Sequence, residues 1–255
     1  MHLEIQFIDT STCNPAPNLL IDIWAANATG IYSGIDSSQA GADEGGLDST
    51  FLRGLQMTDS SGVVSFDTNF PGHYIMRATH QHVTAYVNAT LLPNGSYTGG
   101  TAALIGQLFF DETLRAAVEK THPYTLNRQP LVSNDEDMWA PVAASAEFDP
   151  FVKYVMLGDR IENGLLAWIT AGVDLSADYN DQAFVASFWT DAGGVCNVKD
   201  GFYETIPGGA VNHSCSSMKD GSGKSNTTVI SNGGRVEPGT VWITSWMLLA
   251  VCLAV

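Results

Sequence analysis

Apolar and polar positions alternate along much of this chain with the period of a strand. "LEIQFID" (3–9) sets Leu3, Ile5 and Phe7 on one face and Glu4 and Gln6 on the other, the pattern of a half-buried strand. "LLIDIWAA" (19–26) reads as the next strand and carries Trp24. "FLRGLQMTDSSGVVSFDTNFPGHY" holds two apolar runs around "TDSSG", whose residue types form hairpin turns. "RATHQHVTAYVNATL" reads as one strand, stopped by "PNGSYTGG", and "GQLFF" (106–110) as another. "FVKYVMLG" and "GLLAWITAGV" (164–173) read as two closing strands. Helical spacing appears in "DETLRAAVEK" (111–120), with Asp111 as N-cap and Leu114, Ala117 and Val118 on one face. The expected fold is all-β: an antiparallel or mixed β-sandwich with one short helix and long loops.

The length of 255 residues suits one large domain or a domain with a tail. Past residue 175 the strand pattern fades. The predicted organisation is a sandwich over 1–175, a Gly/Ser-rich extension and linker over 176–240, and an apolar tail over 241–255. The uncharged tail of 15 residues falls short of the about 20 that span a bilayer. Behind the small residues Ser231, Asn232 and Gly233 and a polar spacer, it reads as a GPI-attachment signal. A tail anchor and a buried terminal strand are the alternatives. The opening "MHLEIQFIDT" lacks the basic and apolar segments of a signal peptide, so the true amino terminus is expected to lie upstream.

Charge and side-chain chemistry narrow the partners. A net charge of −16 excludes a nucleic-acid role and a cationic membrane mode, because no basic stripe exists to neutralise phosphates. Five Asn-x-Ser/Thr sites, at Asn27, Asn88, Asn94, Asn212 and Asn226, favour an extracellular or cell-surface glycoprotein. Cys196 and Cys215 are close enough in sequence to pair. Cys13 needs another partner, and Cys252 lies in the apolar tail. The chain has no Cys-x-x-Cys, which argues against structural zinc.

The candidate chemistry lies in "FPGHYIMRATHQHV" (70–83). On a strand, His80 and His82 share a face about 7 Å apart at Cα. Alone, such a pair is more often a hydrogen-bonded or solvated one than a metal site. Tyr74 just upstream and Tyr32 in "GIYSG" change that balance. A tyrosine ligates only as phenolate, and its ordinary pKa is about 10. A hard trivalent cation removes that proton through its own charge. Two phenolates and two neutral imidazoles suit Fe(III).

With these residues in place, "IDIWAANATGIYSG", "FLRGLQMTDSSGVVSFDTNFPGHY" and "RATHQHV" resemble the intradiol ring-cleavage dioxygenases. "GQLFFDETLRAAVEKTHPY" and "NDEDMWAP" resemble their extracellular, mainly fungal branch. The resemblance spans about residues 3–175. It implies a β-sandwich holding a non-haem Fe(III). Tyr32 and His80 correspond to the equatorial ligands, and Tyr74 and His82 to the axial pair. It also implies that Tyr74 accepts a substrate proton as a general base and that Arg77 orients the substrate and offsets negative charge. The implied reaction is cleavage of a catechol by O2, between its hydroxyl-bearing carbons, to a muconate-type diacid. A non-catalytic cell-surface sandwich that binds phenolics or wall polymer is the rival reading, and another metal in the same cage is a third.

The chain departs from the family at four points, one of them Ala25 in "DIWAA", where a histidine or another polar residue is common. Only "IMRAT" separates Tyr74 from His80, where cytosolic members carry an insertion. Gln81 stands between the histidines, where an apolar residue is usual, and is expected to face away from the metal at a packing cost. The helical dimerisation segment of the cytosolic enzymes has no counterpart, so no dimer is inferred and the oligomeric state stays open. Among the other candidates, His2, His73, His122 and His213 are expected at the surface and Trp24 in the core. "GADEGG" is expected to be a solvated loop rather than a calcium site.

Overall fold

The computed structural model describes residues 1–34, 46–145 and 148–183, together with the strand backbones of 188–190 and 193–195. The alternating segments form two four-stranded sheets. The first contains β1 (His2–Asp9), β4 (Val63–Asp67), β7 (Lys153–Met156) and β8 (Leu165–Val173), in the order β4-β1-β8-β7. The second contains β2 (Leu20–Trp24), β3 (Arg53–Met57), β5 (His80–Leu91) and β6 (Tyr97–Phe109), in the order β3-β2-β5-β6. β1 runs parallel to β8 while the other pairings are antiparallel, so the first sheet is mixed. A short hairpin, β9 (Phe188–Thr190) and β10 (Gly193–Val195), follows.

The alternation builds the core. Leu3, Ile5 and Phe7 of β1 and Leu165, Ala167 and Ile169 of β8 pack in one buried cluster with Ile21 and Ile23 of β2 and Val83 and Ala85 of β5. Burying each large side chain contributes about 1.5–3 kcal/mol. The predicted helix appears as α1 (Glu112–Val118), with the Asp111 side chain accepting from the Leu114 N–H. Its Leu114 and Val118 face the core.

Several expectations need correction. A second helical turn, α2 (Ala140–Ala143), follows "NDEDMW"; its four residues are too short to carry a period of their own. β6 begins at Tyr97 rather than at 106, because "SYTGG" pairs with the end of β5 across a bulge. Packed chain continues past 175. Tyr179 donates its N–H to Ala102, and Tyr179 and Ala183 rest on the Leu20 and Tyr86 cluster. Cys13 is disulfide-bonded. Cys196, Cys215, Cys252, the "GADEGG" acids, the linker, the tail and the sites at Asn212 and Asn226 lie outside the described residues. Among the described residues no helix is long and apolar enough to cross a membrane.

Gln81 does face away from His80 and His82, towards the sandwich interior, and is 0% exposed. Its amide donates to the His82 carbonyl, but its Oε1 has no partner among the described residues. An unmatched buried acceptor destabilises by about 1–3 kcal/mol. Gln81→Met, similar in volume, should therefore gain about 1 kcal/mol and about 2–4 °C in Tm. A thermal melt alongside the wild type checks this; a lower Tm would show that the amide is stabilising.

Candidate metal centre

The second sheet's outer face positions the site. The strand registers place Arg53, Trp24, His82 and Gln107 side by side across β3, β2, β5 and β6. His80 lies two residues before His82, on the same face. The loop after β2 brings Tyr32, and the loop before β5 brings Tyr74.

Close packing of these loops depends on glycine. A Cβ at Gly72 would overlap the carbonyl oxygen of Asn27. One at Gly30, whose φ is +84°, would overlap the Gln129 side chain and the His73 carbonyl. Only without side chains can the 27–32, 70–74 and 127–129 segments approach this closely. The short "IMRAT" link makes a tight turn. The Arg77 N–H donates to the Tyr74 carbonyl at 3.1 Å, and Met76 takes a positive φ of 63°. The turn exposes Ile75 and sets Arg77 beside Tyr74.

The four predicted ligands converge. His80 Nε2 lies 3.0 Å from His82 Nε2, 3.3 Å from the Tyr74 hydroxyl and 3.4 Å from the Tyr32 hydroxyl. Ligands about 2.0–2.1 Å from one ion, at angles of 90–110°, stand about 2.9–3.4 Å apart. The three spacings from His80 Nε2 are therefore those of donors that share one metal. His80 Nδ1 donates to the Ala78 carbonyl at 2.7 Å, which leaves Nε2 with its lone pair facing the cluster. His80 is 2% exposed, whereas Tyr32, Tyr74 and His82 are each half-buried.

Electrostatics keep the imidazoles neutral. Burial and then the Arg77 charge hold the His82 pKa down to about 3. The same two causes, with His82 beside it, put His80 well below the ordinary value. Burial pushes the Tyr74 phenol up, against the Arg77 charge and a hydrogen bond with Tyr32. A phenol in that state loses its proton only to a strong nearby positive charge, as a bound trivalent cation supplies. Among the described residues no group of three or more His, Cys, Asp or Glu is placed to hold a metal.

Arg77 is 7% exposed and lies against the cluster. Its Nη1 donates to the Tyr74 hydroxyl at 3.3 Å, its Nη2 to Gln107, and its Nε to Asp137 Oδ2 at 2.9 Å. Pattern reading did not single out Gln107 or Asp137. Gln107 becomes visible only once the register sets it opposite His82. Asp137 is one of three consecutive acids, Asp135, Glu136 and Asp137, which spacing cannot separate. Trp24, expected in the core, instead packs edge-on to Tyr32 at 4.7 Å and lies 5.9 Å from the His82 ring. Its Nε1–H donates to the Ser33 carbonyl at 3.1 Å, which steadies the loop that carries Tyr32.

His73, expected at the surface, is buried at 2% exposure. Its Nδ1 lies 2.7 Å from Glu119 and its Nε2 lies 3.0 Å from the Gln129 carbonyl. Both partners accept hydrogen bonds, so both ring nitrogens carry protons. Burial opposes that charge, but the Glu119 and Gln129 bonds outweigh it and raise the pKa. Neighbouring residues on a turn point differently: Tyr74 joins the site, and His73 anchors the 127–129 segment behind it.

An intradiol ring-cleavage dioxygenase from Tetranychus urticae matches with a TM-score of 0.58 and 26% identity, over 71% of this chain and 83% of its own. A second dioxygenase crystal structure matches with a TM-score of 0.58 and 26% identity, over 70% and 82%. This chain has the intradiol ring-cleavage dioxygenase fold. No protein-family model matches the sequence, and no curated protein matches it. Within the intradiol fold, Tyr32, Tyr74, His80 and His82 occupy one cluster with Arg77 at its side.

Proposed function

We propose that the protein is an extracellular non-haem Fe(III) intradiol dioxygenase, which cleaves catechol-type diols with O2 to muconate-type diacids. The observation that carries this reading is the convergence of two phenol oxygens and two neutral imidazole nitrogens within 3.0–3.4 Å of His80 Nε2 or at it. Tyr32, Tyr74, His80 and His82 would hold the iron. The likeness to a solved intradiol dioxygenase supports the same chemistry.

When bound, Fe(III) supplies Lewis acidity towards a chelating catecholate and a centre for reaction with O2. The chain's own groups do the rest. Tyr74, half-buried and hydrogen-bonded by Arg77, is the group that would receive a proton from a substrate hydroxyl. Arg77 presents a fixed cation with directed N–H donors next to the place where a catecholate would carry its charge. Trp24 walls the Tyr32 and His82 side with an apolar ring.

Oxygen uptake by the iron-loaded protein over a panel of catechols tests the proposal. The expected result is O2 consumption with formation of a ring-opened diacid, and a fall of at least about 100-fold in His82→Ala, which removes a ligand outright. An iron-loaded wild type that consumes no O2 with any catechol would overturn it.

A further inference from the structure

We infer that Asp137 is a positioning residue for this site: its carboxylate sets the orientation of the Arg77 guanidinium and of the backbone that aims His80. The inference rests on the dioxygenase reading above and assigns a role to a residue outside the ligand set.

The Asp137 side chain is 0% exposed. A buried carboxylate is retained only when its lone pairs are matched, and here they are matched from three directions. Oδ2 accepts from Arg77 Nε at 2.9 Å and from the Ala78 N–H at 2.7 Å. Oδ1 accepts from the Trp139 N–H at 2.8 Å, the Ala140 N–H at 3.0 Å and Arg77 Nη2 at 3.3 Å. One side chain thus ties the start of α2 to the 77–78 backbone and grips the guanidinium along its Nε–Nη2 edge.

That grip has a geometric consequence. A guanidinium is a rigid plane, and holding one edge fixes the other. With Nε and Nη2 on Asp137 and Nη2 also on Gln107, Nη1 is left to point at the Tyr74 hydroxyl. The same carboxylate oxygen anchors the Ala78 N–H, and the Ala78 carbonyl receives the His80 Nδ1 proton at 2.7 Å. Asp137 therefore stands one residue behind both the arginine and a metal ligand. Its neighbours Asp135 and Glu136 are exposed, so the role belongs to this acid of the three.

Asp137→Asn separates positioning from simple folding. The amide keeps one oxygen for the Trp139 and Ala140 N–H groups, but opposes the Arg77 and Ala78 donors with another donor. A double-mutant cycle with Arg77→Ala reads the coupling. We expect Asp137→Asn to lower kcat/KM by about 10–100-fold, mainly through kcat, with one iron still bound per chain. In the Arg77→Ala background its effect should be clearly smaller, the remainder acting through the Ala78 N–H and His80. An equal loss in both backgrounds would overturn the inference, because damage to α2 alone would persist without the arginine. Unchanged kcat/KM in the single variant would overturn it as well. The Arg77 Nε–H signal in the 15N NMR spectrum needs neither iron nor turnover. It should be protected from exchange in the wild type and exposed in Asp137→Asn, and equal exchange in both proteins would also overturn the inference. A wild type with a protected signal but no O2 uptake would instead contradict the dioxygenase reading and leave the orienting contact standing.

Discussion

Arg77→Ala is expected to give a destabilised protein with little turnover. The arginine is the charge partner of Asp137, whose side chain is 0% exposed. Its removal leaves a buried carboxylate with backbone N–H donors alone. Breaking one side of a buried pair costs about 3–5 kcal/mol, or roughly 6–20 °C in Tm for a chain of this size. The loss of a fixed cation beside the reacting group should lower kcat/KM by about 10²–10³-fold. The pH dependence carries a sign. Burial pushes Asp137 up, but the bonds and charge of Arg77, with the Trp139 and Ala78 N–H groups, hold its pKa below the ordinary value. In the wild type that contribution is complete above about pH 4 and is lost as pH falls through the folded pKa. In Arg77→Ala the Trp139, Ala140 and Ala78 N–H groups still oppose burial, but without the arginine's charge the carboxyl pKa rises relative to the wild type, so the variant loses less stability than the wild type as pH falls. Urea melts at pH 7 and at about pH 3.5, near the ordinary carboxylate range, should show the gap between the two proteins narrowing towards acid. A gap that widens would contradict the assignment of Asp137 as the arginine's charged partner.

His73→Leu should be nearly as damaging, although His73 is not a ligand. Its ring holds Glu119, whose side chain is 15% exposed, and the Gln129 carbonyl. Asn127 donates to the His73 carbonyl at 2.8 Å, which ties the same segment again. Leucine would strand both acceptors and loosen the backbone next to Tyr74. The expected loss is about 3 kcal/mol, the lower end for a broken buried pair because Glu119 keeps some water. Glu119→Gln should lose less, since an amide oxygen still accepts the Nδ1 proton. Thermal melts of the three proteins check the order. Wild-type stability in His73→Leu would return the residue to the surface role that its sequence context suggests.

The parts that spacing reveals and the parts it hides differ for physical reasons. Period-two alternation reports burial on one face, so β1, β5 and β8 are legible from residue types alone. The Asp111 cap and the Leu114 and Val118 stripe report α1 in the same way. His80 and His82 share a face because any strand makes them do so. Cross-chain contacts are what a linear pattern lacks. Tyr32 lies 48 residues from His80 and reaches it through a turn that only Gly30 and Gly72 permit. Gln107 depends on the β5–β6 register. His73 looks like a turn histidine until Glu119 and Gln129, 46 and 56 residues away, close over it. Trp24 alternates correctly for a strand, but its face is the outer one, where the site is built, rather than the interior.

The most direct test of the central claim, that two tyrosines and two histidines hold Fe(III), is the visible spectrum of the iron-free protein titrated with ferric iron. The account predicts saturation at one iron per chain, with a tyrosinate-to-iron charge-transfer band that shifts when catechol is added. The band should weaken in Tyr32→Phe and in Tyr74→Phe, and it should be absent in His80→Ala. A protein that binds iron without colour, or a band unchanged when both tyrosines are replaced, would contradict it.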